Sequence, residues 1–151
     1  MILIQKNKKA FFDYEIVKKY EAGIVLKGYE IKSIRKKSVS LKEAFCKIVK
    51  KEIFVFNMNV SKYENSNTFY EIDEKRTKKL LLHKKEILYL EKEVDQGGFT
   101  IIPLSIYFDD NNNCKLEIGL CKGKKNYDKR NSIKERDNKI QVNRELSDKY
   151  R

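Results

Sequence analysis

Phe99-Thr100-Ile101-Ile102-Pro103-Leu104-Ser105-Ile106-Tyr107-Phe108, then Asp109-Asp110-Asn111-Asn112-Asn113, then Cys114-Lys115-Leu116-Glu117-Ile118-Gly119-Leu120-Cys121 is the run that decides the fold. An apolar segment, five turn-forming residues and an alternating segment predict an antiparallel hairpin. Cys114, Leu116, Ile118 and Leu120 point one way; Lys115, Glu117, Gly119 and Cys121 point the other.

Working outward, the patterns stay short. Ile87, Leu90 and Val94 recur at helical spacing over residues 84–95, with Gly97-Gly98 as the stop. The preceding Leu80-Leu81-Leu82 cannot all face inward from one strand. Residues 61–77 are polar and read as a long loop. Residues 44–49 and 52–60 predict a hairpin around Lys50-Lys51, its second strand alternating Phe54, Phe56, Met58 and Val60 against Asn57 and Asn59. Residues 29–35 predict a short helix with Ile31 and Ile34 inward and Lys32 and Arg35 on the other face. Residues 11–26 read as two strand segments or one bulged long strand, with Gly23 at the bend. About six strands and two helices argue for a mainly β fold: a small antiparallel OB-like barrel with flanking short helices.

Downstream the composition changes. Residues 122–151 hold eleven Lys/Arg against five Asp/Glu, and so carry +6 of the chain's +12. Their few sizeable apolar residues are too sparse to offset the entropy of ordering thirty residues. The chain therefore divides into a barrel body, 1–121, and a basic, conditionally ordered tail, 122–151. Lysine is abundant everywhere, so arginine is the better guide, because its planar fork grips phosphate and base edges. Four of the six arginines (Arg130, Arg136, Arg144 and Arg151) lie in the tail. Such a tail suits a polyanion, above all nucleic acid.

Other classes find little support. Cys46, Cys114 and Cys121 have no CxxC spacing and read as small buried residues of a reducing compartment, with no metal site. No secretory segment opens the chain, and no apolar run approaches the roughly twenty residues needed to cross a bilayer, so a soluble cytoplasmic protein is expected. His83 is the only histidine and has no nucleophile nearby in sequence, so no catalytic residue and no cofactor is expected. Basic clusters are the better candidates: Lys6 to Lys9, Lys27 to Lys37, Lys75 to Lys79, and Lys122 to Arg130 with Tyr127 inside it. Lysines meet phosphates while aromatic rings stack on bases.

Glu21-Ala22-Gly23-Ile24-Val25-Leu26-Lys27-Gly28-Tyr29-Glu30-Ile31-Lys32-Ser33-Ile34-Arg35 is a long and idiosyncratic string. It resembles the signature of the bacterial SsrA-binding protein (SmpB) family. Matches in the family's order follow at Asn7-Lys8-Lys9-Ala10, Arg76-Thr77-Lys78-Lys79-Leu80-Leu81-Leu82, Gly119-Leu120-Cys121-Lys122-Gly123-Lys124-Lys125, and Asp128-Lys129-Arg130 with Ile133-Lys134-Glu135-Arg136. The resemblance implies a non-catalytic factor that binds the tRNA-like domain of transfer-messenger RNA and escorts it into stalled ribosomes for peptide tagging. It also implies as partners the decoding centre and message channel of the ribosome and, indirectly, the elongation factor that delivers aminoacyl-tRNA.

The same resemblance implies roles for individual residues. Glu21 and Leu81 would touch the RNA elbow, a carboxylate accepting from base edges or a 2′-hydroxyl and an apolar chain lying against an unstacked base. Asn7, Lys8, Lys9 and Lys115 would add polar and phosphate contacts, with Lys78, Lys79, Lys122, Lys124 and Lys125 beside them. Glu30, Lys32 and Arg35 would join the RNA set, although Glu30 also reads as a partner for a nearby lysine that holds its helix in place. The tail would lie in the empty message channel, Tyr127 stacking on a ribosomal base among Asp128, Lys129, Arg130, Lys134 and Arg136. Two other readings compete: a structural ribosomal protein or general single-strand-binding barrel, and a small hydrolase.

Overall fold

The computed structural model describes residues 1–62 and 73–124. In chain order the elements are β1 (Ile2–Lys6), α1 (Lys8–Asp13), β2 (Tyr14–Ile24), α2 (Gly28–Arg35), β3 (Val39–Ser40), β4 (Phe45–Val49), β5 (Glu52–Phe56), β6 (Asn59–Val60), β7 (Lys78–Leu81), α3 (Lys84–Gly97), β8 (Thr100–Phe108) and β9 (Cys114–Gly123). The fold is mainly β with antiparallel pairing and short helices, as the patterning predicts.

The hairpin at 99–121 forms in the expected register, from Thr100↔Cys121 to Phe108↔Cys114, with a bulge between Pro103 and Ser105. Proline has no N–H for a ladder, so a bulge is where a strand tolerates it. Carbonyls left over at this irregularity go to Asn7: its backbone N–H donates to Leu104 O at 2.7 Å and its side-chain amide to Pro103 O at 2.9 Å. Beyond the hairpin β9 pairs with β2 from Gly23↔Lys115 to Tyr14↔Gly123. The main sheet runs β1-β8-β4-β5-β7-β2-β9, and β9 also pairs with β8, so the pairings from β8 to β9 close a circuit that β1 joins from outside through β8. A small second sheet joins β3 and β6.

Inside the circuit, Leu116, Ile118 and Leu120 pack with Ile53, Val55, Leu80, Ile101 and Ile106. Ile34 of α2 and Ile87 and Leu90 of α3 join this core. The other face of β8–β9 is not wholly polar. Ile102, Leu104 and Cys121 form a second cluster with Ala10 of α1, flanked by Phe11 and Tyr14. Cys121 and Gly119 are therefore buried although they point away from the main core, because α1 covers that end of the sheet.

Gly119 is required there. A Cβ built on it would lie 2.8 Å from Leu104 Cδ1 and 3.2 Å from Cys121 Sγ. Leu104 is fully buried and cannot swing aside. Gly119→Ala should destabilise the protein by about 1–3 kcal/mol through overpacking, read as a lower urea midpoint with unchanged slope.

Four expectations need correction. Residues 11–13, expected to begin a strand, belong to helix α1: Asn7 caps it by accepting from the Ala10 N–H at 3.2 Å, and packing against Ile102 and Leu104 outweighs the strand preference of Phe11. The bulge of β2 falls between Ile16 and Lys18, while Gly23 continues in register. The strand predicted over 52–60 breaks at Asn57, which is left-handed at φ 60° and resets the alternation. Its inward residues are accordingly Ile53, Val55, Met58 and Val60, with Phe54 and Phe56 only half-buried. Finally, β1 and β3 had no counterpart in the sequence reading; β1 is held by pairing with β8 through Ile2↔Phe108 and Lys6↔Ser105. Residues 63–72 of the predicted loop lie outside the described residues.

The helix at 29–35 and the helix after His83 stand as predicted. Each opens on a carboxylate that accepts a backbone N–H: Glu30 from Lys27 at 2.7 Å, and Glu86 from His83 at 3.3 Å. The second stops at Gly98, which is left-handed at φ 68°. His83 is an exposed residue at that helix start.

Candidate nucleic-acid interface

Cross-strand register builds one face of the sheet row by row. Leu81, Gly23, Lys115, Tyr107 and Leu3 are successive partners across β7, β2, β9, β8 and β1. Glu21, Glu117, Ser105 and Lys6 make the adjacent row, and Lys19 with Gly119 the next. Directly paired residues share a face, and so do residues two apart along one strand. This face is opposite to the one carrying Tyr20, Ala22, Leu116 and Ile118 into the core.

Three of the predicted contacts meet here. Leu81 is 53% exposed, the outward member of its strand, while Leu80 beside it is buried. Gly23 is what lets Leu81 lie against the sheet, since a Cβ at 23 would come within 3.3 Å of Leu81 Cβ. Lys115 is half-buried between Gly23 and Tyr107. Glu21 is exposed, and the Tyr107 hydroxyl donates to its Oε2. Burial, followed by the bond and charge of Glu21, pushes the Tyr107 phenol well above its ordinary range, so the hydroxyl keeps its proton and donates. Lys8 and Lys9 are exposed on α1, which covers the other end of the face.

Other predicted contacts are placed elsewhere. Asn7 is 5% exposed, and its amide donates to Leu41 O and Pro103 O, so it ties α1 to the segment after β3 and to the bulge of β8 and does not face solvent. Glu30 is 1% exposed and Lys78 is fully buried. Glu30 accepts from Arg76 Nη2 at 2.6 Å and Arg76 Nε at 3.2 Å, and its other neighbour is Lys78 Nζ at 3.7 Å. Lys78 Nζ also donates to Arg76 O at 2.7 Å and Met58 O at 3.4 Å. The placing of Asn7, Glu30 and Lys78 at an RNA surface is thus corrected: each is turned inward because it satisfies buried polar groups. Burial alone would raise the Glu30 pKa, but hydrogen bonds from Arg76 and the Lys27 N–H, with the charge of Lys78, leave it below the usual carboxylate range.

Lys79 is exposed and lies 3.3 Å from Glu52, a surface pair of little energetic weight. Lys32 and Arg35 are exposed on α2, and Arg35 sits 4.5 Å from the ring centre of Phe108, a residue of the main core. Phe108 alternates with Tyr107, so this pair belongs to the far side of β8 from Glu21 and Lys115. Lys122 is exposed near the end of β9. The Lys124 N–H donates to Asp13 O at 3.0 Å and its ammonium to Phe11 O at 3.3 Å. Lys125, Tyr127, Asp128, Lys129, Arg130, Lys134 and Arg136 lie outside the described residues. Sequence reasoning missed Tyr107 because it sits in an apolar run; the signal was its place between Ile106 and Phe108, in register with Lys115.

The family model described as SmpB protein matches residues 4–148. The chain belongs to the SmpB family. The SsrA-binding protein of Mycoplasma mycoides is 57% identical over 135 residues, covering 89% of this chain and 90% of its own. That of Nitratiruptor is 52% identical, covering 90% of this chain and 91% of its own. A solved structure titled "tmRNA-SmpB: a journey to the center of the bacterial ribosome" is similar to this SmpB-family fold with a TM-score of 0.66 and 40% identity, over 81% of this chain and 85% of the other. Among the described residues no group of three or more His, Cys, Asp or Glu is gathered as a metal ion requires, and no helix is long and apolar enough to cross a membrane.

Proposed function

We propose that this protein binds transfer-messenger RNA through the face carrying Glu21, Leu81 and Lys115 and takes it to stalled ribosomes for trans-translation. The observation that carries the reading is that these three residues, separated by up to 94 positions in sequence, meet on two adjacent rows of one sheet face in a chain of the SmpB family. A carboxylate, an apolar side chain and an ammonium within two rows suit a folded RNA that offers base edge, unstacked base and phosphate together. The tRNA-like domain is such an RNA. Lys8 and Lys9 on α1 add positive charge at the end of the face.

In this reading the chain catalyses nothing. The body, 1–121, grips the RNA, and residues 122–151 probe the decoding centre and message channel, with Tyr127, Asp128, Lys129, Arg130, Lys134 and Arg136 toward ribosomal RNA. The elongation factor that carries aminoacyl-tRNA is an indirect partner. The protein works in the cytoplasm, where ribosomes are.

Two variants test the face. Glu21→Ala should weaken binding roughly tenfold or more, as expected for losing a hydrogen bond to a charged group, although it removes a negative charge. Lys115→Ala should lower the log–log salt slope by about 0.7–0.9, one phosphate's worth. Equilibrium titrations at several salt concentrations decide it, with circular dichroism confirming the fold. Unchanged affinity in the first and an unchanged slope in the second would reject this face. A general single-strand binder would instead prefer an unstructured competitor to the folded RNA.

A further inference from the structure

We propose that Lys6 and Lys19, gathered over the ring of Phe11 where α1 meets the sheet, form a phosphate-binding site that continues the RNA face past Glu21 and Lys115. The inference rests on the reading of that face given above, and it names where the RNA backbone goes next.

Register fixes the place. Lys6 stands in the row of Ser105, Glu117 and Glu21, and Lys19 is one row further on beside Gly119. Both ammoniums lean toward α1: Lys6 Nζ is 4.7 Å from the Phe11 ring centre and Lys19 Nζ 5.5 Å. Gly119 adds no side chain to compete for the space next to Lys19. Two cations held near one ring repel each other, and the ring's quadrupole compensates only in part. Among the described residues neither forms an ion pair within 4.0 Å. The Lys6 pKa is pushed down, first by partial burial and then by the charge of Lys19, with Glu117 opposing and Lys8 adding to the effect.

Such a pair is completed by an anion. A phosphodiester suits it because each lysine is a point charge on a flexible stem and needs no planar partner. The site also opens on the same side of the sheet as Glu21 and Lys115, so one strand of RNA can meet both. An RNA backbone phosphate is therefore assigned to it, with free inorganic phosphate as the other source of the same chemistry.

The test uses the full chain and transfer-messenger RNA. The double substitution Lys6→Gln with Lys19→Gln should lower the salt slope by about 0.7–0.9 and weaken binding roughly five- to eightfold at 0.1 M salt. Saturating RNA should raise the Lys6 pKa followed by NMR of its ε-ammonium. Lys47→Gln, on β4, should change neither. If Lys115→Ala lowers the slope and the double substitution does not, this site is wrong while the wider reading stands. If neither lowers it although the RNA binds, the face itself is misassigned. Inorganic phosphate that raises the Lys6 pKa as far as RNA does, with the slope of the double variant unchanged, would overturn the RNA assignment in favour of a free anion.

Discussion

A chain ended after Lys125 should hold transfer-messenger RNA as the whole chain does, within a few-fold, and yet tag nothing on stalled ribosomes. The pairings of the described body close by Lys124. Strand β9 is paired with β2 to its last residue, Gly123↔Tyr14, and Lys124 closes the end by donating to Asp13 O. Glu21, Leu81, Lys115, Lys6 and Lys19 all stay in place, so the sheet face survives the cut. The residues lost are those whose composition sets them apart: strongly basic, poor in apolar side chains, and rich in arginine. A modest fall in affinity follows from the lost charge and should disappear at higher salt. Tagging of a nascent chain on a message without a stop codon, assayed in a reconstituted system, should fall to background. Loss of RNA binding, or tagging that persists, would show that body and tail do not divide the work.

Glu30→Ala should have the largest effect on stability, a loss of about 3–5 kcal/mol, as expected when one partner of a buried ion pair is removed. The carboxylate accepts from Arg76 and the Lys27 N–H and is ion-paired with the fully buried Lys78 ammonium at 3.7 Å. Without it Lys78 keeps only the carbonyls of Arg76 and Met58. The pH dependence has a definite sign. Because the folded-state pKa of Glu30 is depressed, its contribution is complete above the ordinary carboxylate value near 4.5 and is lost as pH falls through the lower folded value. Urea unfolding of the wild type should therefore lose stability below about pH 4.5, and the variant should lose that part of the acid limb. An unaltered urea midpoint for Glu30→Ala would mean that the cluster contributes nothing to the fold.

The parts of this fold legible in the sequence were those where one face meets the core. The hairpin at 99–121 and the helix ending at Gly97-Gly98 announce themselves because alternation, helical spacing and turn residues agree. Helix α1 was not legible: its signal is the cap at Asn7, while Phe11 and Phe12 read as strand until Phe11 is known to pack against the cluster of Ile102 and Leu104. The break at Asn57 was hidden for a similar reason, since a left-handed residue inside an apolar run leaves the run's composition unchanged. Of the site, the string 21–35 identified the family, but it mixed two roles that only packing separates. Glu21 faces outward, whereas Glu30, nine positions later, holds the interior together. A charged residue in a motif does not reveal whether its partner is a ligand or another part of the chain.

The Tyr107–Glu21 hydrogen bond has a bearing on how the interface works. A glutamate on an open sheet normally samples several rotamers, and fixing one on association costs about 0.5–1.5 kcal/mol. Here the phenol, anchored by its burial in β8, fixes the carboxylate in the unliganded protein and leaves Oε1 free of that bond. Folding has already met the conformational cost, so recognition begins from a preorganised acceptor and more of each contact's strength reaches the complex.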